Sequence, residues 1–143
     1  MRFSSEDSLI PREKVLRTAE GLTPEIENMV RATSRGYSDS RASINLPDDN
    51  DMLARVKQIV EDKLQLKPEY LVVVGTGGSN LGTIAVQEAV LGKLYNQLNP
   101  AIKVLYADTT DSDYINDIIQ LLEPTLKRDG SVLVNGISKS GTT

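Results

Sequence analysis

The sequence has no histidine, no cysteine and no tryptophan, and only five tyrosines and one phenylalanine. Each absence removes a class of chemistry. Without histidine, neither a Ser-His-Asp triad nor a histidine zinc site can be assembled within the chain. Without cysteine there is no thiol nucleophile, iron–sulfur cluster or disulfide, which suits a cytoplasmic location. No stretch of about 18 apolar residues occurs, so no membrane span is expected. The opening MRFSSEDSLIPREK places acids where a secretory signal would have its apolar segment, and no export signal is read there. Twenty Asp and Glu outweigh 16 Lys and Arg, for a formal net charge of −4. A basic field for nucleic acid is therefore missing, and no nucleic-acid partner is expected. A local anion site is still possible, because helix N-termini and loop amides need no net positive charge.

What is present is enough for one domain with an appendage: 143 residues. Residues 1–49 are polar and largely irregular. Thr23-Pro24-Glu25 predicts a helix start, with a hydroxyl cap, a Pro at the first helical position and an acid near the positive end. Ile26, Met29 and Val30 follow at helical spacing. GYSDSRASINLPDD, residues 36–49, has no sustained period and reads as a connection. The segment is expected to be a helical appendage, and residues 50–143 the main domain.

There the pattern changes. Met52, Leu53, Val56, Ile59, Val60 and Leu64 share one helical face, and Pro68 is a stop signal. Tyr70-Leu71-Val72-Val73-Val74 is a short apolar run ending in glycines, which reads as a strand buried on both faces. A helix over residues 79–95 follows, with Leu81, Ile84, Ala85, Val90, Leu91 and Leu94 as core candidates. Residues 102–107 read as a second strand. Thr110 to Asp113 reads as a capping-box start, and Tyr114, Ile115, Ile118, Ile119 and Leu122 as the helix face behind it. Pro124 and Gly130 bracket the return to a third strand at Ser131-Val132-Leu133-Val134. Strand–helix units of this length predict parallel strands joined by right-handed crossovers: a doubly wound α/β fold, a parallel sheet flanked by helices. A sheet that stops at its third strand leaves one face under-covered, so the chain is expected to be truncated.

Ligands of such sheets bind beyond the carboxyl ends of the strands. The first such end is Gly75-Thr76-Gly77-Gly78-Ser79-Asn80-Leu81-Gly82. Its glycines let the backbone turn sharply, and Ser79 and Asn80 open a helix whose free amides attract an anion. The dinucleotide fingerprint is half met: Gly75 and Gly77 fit, but Asn80 holds the third position. Asp108 follows Gly75 by 33 residues, against an expected spacing of about 20. Asp108, Asp111 and Asp113 read as caps.

The other end with chemistry is Gly136-Ile137-Ser138-Lys139-Ser140-Gly141-Thr142-Thr143. Hydroxyls, an ammonium and small residues in a run are what phosphate oxygens bind. The spacing of Gly136 and Gly141 matches a P-loop, but Thr142 stands where the lysine must be, which disfavours nucleotide hydrolysis. A phosphomonoester needs no such lysine. If the two strands are neighbours, both loops open on one crevice.

Together the two motifs resemble signatures of the glucose-6-phosphate isomerase family. Val74-Gly75-Thr76-Gly77-Gly78-Ser79-Asn80-Leu81-Gly82 is similar to the first, with Thr76 where isoleucine is commoner. Ser138-Lys139-Ser140-Gly141-Thr142-Thr143 is similar to the phosphate-binding signature. The resemblance runs from about Tyr70 to Thr143. It implies a sugar-isomerase (SIS) fold whose first part lies in residues 50–143. It also implies interconversion of glucose 6-phosphate and fructose 6-phosphate, in glycolysis and gluconeogenesis, without cofactor or metal. The implied partners are a small sugar phosphate and a second copy in a full-length homodimer. By this resemblance Ser138, Ser140 and Thr143, with the Lys139 backbone, hold the phosphate, and Gly78 and Ser79 line the sugar side. Gly78, directly before a helix-starting Ser, is expected to need dihedrals that a β-carbon disfavours. The family's Glu base, Arg and ring-opening His lie in later segments, and no catalytic residue is identifiable in this chain. The alternative is a non-catalytic SIS-type sugar-phosphate-binding or nucleotide-binding module.

Overall fold

The computed structural model describes residues 9–141; the opening residues in which no export signal was read lie largely outside this range. The chain divides into two compact units, Met1–Val56 and Lys57–Thr143. In the first, α1 (Arg12–Gly21) and α2 (Thr23–Ala32) are separated by Leu22 alone, and a 3-10 helix spans Ala42–Asp48. The helix start at Thr23-Pro24 is found, with Pro24 in the first turn, but Thr23 is not a cap. Leu22 holds that position in helical conformation and no side chain caps the helix. α1 had no counterpart in the sequence reading, because its apolar residues form no sustained stripe.

Polar contacts organise this unit. Arg41 donates to both Glu25 carboxylate oxygens, and its backbone N–H donates to Asp39. The Tyr37 hydroxyl donates to Asp49, which also accepts from the Met52 amide at 2.7 Å and so caps α3 (Asn50–Leu64). The Asn45 amide donates to the carbonyls of Ala32 and Gly36, while Ala32 itself is fully buried. The "connection" of residues 36–49 is thus pinned by its Ser, Asp and Asn side chains, which compete for backbone groups in the way that defeats periodic patterns. Met52, Leu53, Val56, Ile59, Val60 and Leu64 do share a helix, but all six are exposed.

The second unit carries the sheet. β1 (Pro68–Val74), β2 (Lys103–Ala107) and β3 (Ser131–Gly136) are all parallel, in the order β2-β1-β3. The fold is α/β with a parallel sheet and helices, as the strand–helix alternation implied. β1 begins at Pro68 itself, which ends the preceding helical pattern and opens the strand, where a missing N–H is tolerated.

Between the strands run α4 (Leu81–Leu91) and α5 (Ser112–Lys127). Ile118 and Leu122 of α5 pack on Val72 and Ala107, with Tyr70, Leu105, Ile115 and Val132 at the margin. These strand residues share one sheet face by the period of two. On the alternate parity, Tyr106 reaches α4 and donates its hydroxyl to Gln87 at 2.7 Å.

Two expectations fail here. Pro124 does not end the helix; it lies inside α5, which runs on to Lys127 before Gly130 returns the chain to β3. The N-cap is Asp111 rather than Thr110: its carboxylate accepts from the amides of Asp113 and Tyr114. α4 also differs. It is shorter than residues 79–95 and buries none of its residues; Leu81, Val90, Leu91 and Leu94 are exposed.

Candidate functional site

β1 is the central strand, and register places Val74 level with Ala107 on one side and Gly136 on the other. All three strands therefore end at one height. The ladder continues one residue further each way: the Gly75 amide donates to Ala107 O at 3.2 Å, and the Ile137 amide donates to Val74 O at 2.8 Å. The order β2-β1-β3 puts the reversal of winding between β1 and β3, which is where open α/β sheets form their ligand crevice. The loops after β1 and β3, residues 75–82 and 136–141, leave the sheet side by side at that point.

Space between them is tight at Gly75. A β-carbon there would meet Ser79 Cβ at 3.0 Å, Asn80 Oδ1 at 3.1 Å and the Ile137 carbonyl at 3.2 Å. Glycine avoids this crowding, within the first loop and against the second. The chain then enters a 3-10 turn, Gly77–Ser79, through Gly77 at φ 54°. Positive φ falls on Gly77, not on Gly78. A β-carbon on Gly78 meets nothing within 4 Å, so the expectation that Gly78 needs glycine's dihedrals is corrected. Gly78 is exposed and Ser79 half-buried.

α4 begins directly after this turn. Its first turn contains no acidic residue, and Asn80, in the capping position, makes no capping hydrogen bond. Neither a first-turn acid nor the Asn80 side chain therefore compensates the positive end of the helix. Asn80 is instead 1% exposed, with its amide nitrogen donating to the Gly75 carbonyl. The sequence places Asn80 at the opening of this helix, and as the residue that breaks a dinucleotide fingerprint, but not in the interior. Burial of an asparagine has no signature in periodicity.

In the second loop Ser138, Lys139 and Ser140 are all exposed. The Ser138 hydroxyl accepts from the Gly141 amide at 2.9 Å, which closes a local turn in the loop. Thr143 lies outside the described residues, as does Thr142. The structure thus brings Gly78, Ser79, Ser138, Lys139 and Ser140 to adjacent loops at one end of the sheet. Asp108 and Asp111 follow the end of β2; Asp111 is a helix cap. No group of His, Cys, Asp and Glu among the described residues could hold a metal ion. A cavity of about 340 Å³ lies at the opposite, amino end of β1 and β2, beside Glu69, Tyr70, Lys103 and Arg128, away from both loops.

Comparison with known proteins extends the motif resemblance to the whole chain. It is 33% identical over 150 residues to a glucose-6-phosphate isomerase of Listeria monocytogenes serotype 4b (strain F2365), covering 100% of this chain and 30% of that protein. The glucose-6-phosphate isomerase of Shouchella clausii is 33% identical over 149 residues, 99% of this chain and 31% of its own length. That of Lactiplantibacillus plantarum is 37% identical over 114 residues, 74% of this chain and 24% of its own. The chain spans about 30% of the length of the first of these relatives. No family model matches the chain, and no solved structure matches it. The resemblance read from residues 74–82 and 138–143 is borne out: over its whole length the chain is similar to part of these isomerases.

Proposed function

We propose that this chain supplies the phosphate- and sugar-binding loops of a glucose-6-phosphate isomerase, the enzyme its relatives are named for. The observation that carries the reading is the adjacency of β1 and β3, which sets two loops of family type side by side at the switch point of the sheet. In this reading residues 50–143 form the first part of a SIS-type domain, and residues 1–49 a helical segment ahead of it. The protein works in glycolysis and gluconeogenesis, in the cytoplasm, without a cofactor, and at natural length as a homodimer.

The chemistry divides between the loops. The hydroxyls of Ser138, Ser140 and Thr143 and the Lys139 backbone N–H donate to the phosphate oxygens, where charge-assisted bonds are strongest. The uncapped end of α4 adds its positive partial charge nearby. Gly78 and Ser79 face the sugar, and the absence of a side chain at Gly78 leaves room for hydroxyls to reach the backbone. Moving the proton between C1 and C2 needs a carboxylate within about 2.6–3.2 Å of the carbon acid's proton, or one water away. No residue of this chain is assigned that role.

The test is binding of fructose 6-phosphate to the protein at natural length. Ser138→Ala with Thr143→Ala removes two donors to a charged group, at about 1.5–3 kcal/mol each, so affinity should fall by roughly 100-fold or more. Unchanged affinity in the double variant would overturn the assignment.

A further inference from the structure

α4 buries none of its own residues, yet the asparagine at its head is 1% exposed. Asparagine in this position ordinarily folds over the first amides of the helix. Here the side chain turns inward, and its amide nitrogen donates to the Gly75 carbonyl. Its Oδ1 is buried with no donor among the described residues. That oxygen lies 3.1 Å from where a β-carbon on Gly75 would sit, and the Ile137 carbonyl lies 3.2 Å from the same point. The Asn80 oxygen and the Ile137 carbonyl thus wall, from the first loop and from the second, the small space that a β-carbon on Gly75 would occupy. An apolar side chain of this size would fill the same space without an unpaired acceptor. What the amide does and the apolar group cannot is fix the Gly75 carbonyl.

We infer that Asn80 is a positioning residue that sets the spacing between the two loops, so that the phosphate and sugar ends of one ligand are engaged together. The inference rests on the sugar-phosphate reading for its ligand, but not for the loop coupling itself. Asn80 touches no substrate in this role; its atoms lie beneath the loops. Replacing it removes one hydrogen bond and one unpaired acceptor at once, two changes with opposite effects on stability.

The experiment uses Asn80→Leu, with Asn80→Ser as a smaller polar second variant should the first not fold. Dissociation constants for fructose 6-phosphate and for inorganic phosphate are measured on the natural-length protein, with amide hydrogen exchange over residues 137–141. Inorganic phosphate takes its hydrogen bonds from the second loop, with only a partial charge from α4, whereas the sugar phosphate needs donors on both loops. The expected result is an affinity loss of about tenfold for fructose 6-phosphate against less than about twofold for phosphate. Exchange in the second loop should quicken while that of α5 stays unchanged. Equal losses for both ligands, or none for either, would overturn the role. If the parent binds no fructose 6-phosphate, the functional reading fails on that result alone. Exchange then decides the coupling, and an unaltered second loop overturns it.

Discussion

Three glycines within four positions carry different duties, and their substitutions should separate them. A β-carbon on Gly75 would meet Ser79, Asn80 and the Ile137 carbonyl at 3.0–3.2 Å, so Gly75→Ala should displace these neighbours by a few tenths of an ångström, at about 1–3 kcal/mol. Gly77 has space but sits at φ 54°, so Gly77→Ala should lose about 1–2 kcal/mol to strain alone. Gly78 has neither constraint, and Gly78→Ala should change stability by less than about 0.5 kcal/mol. Thermal unfolding of the three variants checks the prediction that Gly78→Ala is the mildest. Because Gly78→Ala leaves folding intact, it isolates the ligand's need for space: fructose 6-phosphate affinity should fall without a change in melting temperature. A variant that binds like the parent would remove Gly78 from the sugar side. The sequence showed that glycine was needed somewhere in this turn. Which glycine bears the backbone strain depends on φ, and φ is fixed by the 3-10 turn rather than by the letters around it.

Among the elements, α5 is the one whose apolar stripe was legible and partly used: Ile118 and Leu122 are buried, whereas Tyr114 and Ile119 of the same stripe are exposed. Ile118 and Leu122 are 6% and 9% exposed against the sheet. Leu122→Ala should therefore cost about 2–4 kcal/mol, whereas Ile119→Ala, on an exposed position of the same helix, should cost under about 1 kcal/mol. Chemical denaturation of both variants reads the difference. The same stripe argument failed for α4, whose Leu81, Val90 and Leu91 are exposed, as is Leu94 beyond its end. Periodicity reports which residues lie together on a helix, and it is silent on whether anything lies opposite. Pro124 was misread for a related reason: a proline removes one helical hydrogen bond, and α5 passes through that loss with Leu122 and Thr125 buried on either side of it.

In the first unit the carboxylates of Glu25 and Asp49 are held below the usual carboxylate range. The causes are the hydrogen bonds from the Arg41 guanidinium and the Tyr37 hydroxyl respectively. Asp39 is lowered first by the Arg41 backbone amide. Lowered carboxylates contribute stability that is present above their ordinary values, near pH 4, and lost as pH falls through the lowered ones. The bond to Asp49 raises the Tyr37 hydroxyl, so that contact persists at neutral pH, weakens as Asp49 protonates in acid, and is lost at strongly alkaline pH. Amide exchange in α2 should hence be flat from pH 5 to 8 after correction for intrinsic rates, and quicken below about pH 4. Asp49→Asn should flatten part of that acid limb; an identical limb in the variant would exclude Asp49 from it.

For the molecule as a whole, the fold class and the pairing of the two loops could be read from alternation and motif order, because strand–helix units admit few topologies. The distribution of burial could not, since it depends on what each helix meets. The absence of histidine and of any assigned base carries its own expectation. The 143-residue chain by itself should leave fructose 6-phosphate unconverted in a coupled assay while still binding it. Turnover well above the no-protein rate that tracks the chain through purification would overturn this.

The strand order also has a consequence in time. β1 and β2 pair across a moderate stretch of sequence, but β3 must find β1 from far away: Val72 pairs with Val134. Contacts of such separation close long loops and form late. On the ribosome, β1 and β2 are made first, and the β1 edge waits until β3 has emerged. Ile137, hydrogen-bonded to Val74, follows immediately behind that strand. The crevice is therefore born in a single event, when the last strand adds to the sheet. A nascent chain stopped before that point would own one loop of the pair and bind nothing with it.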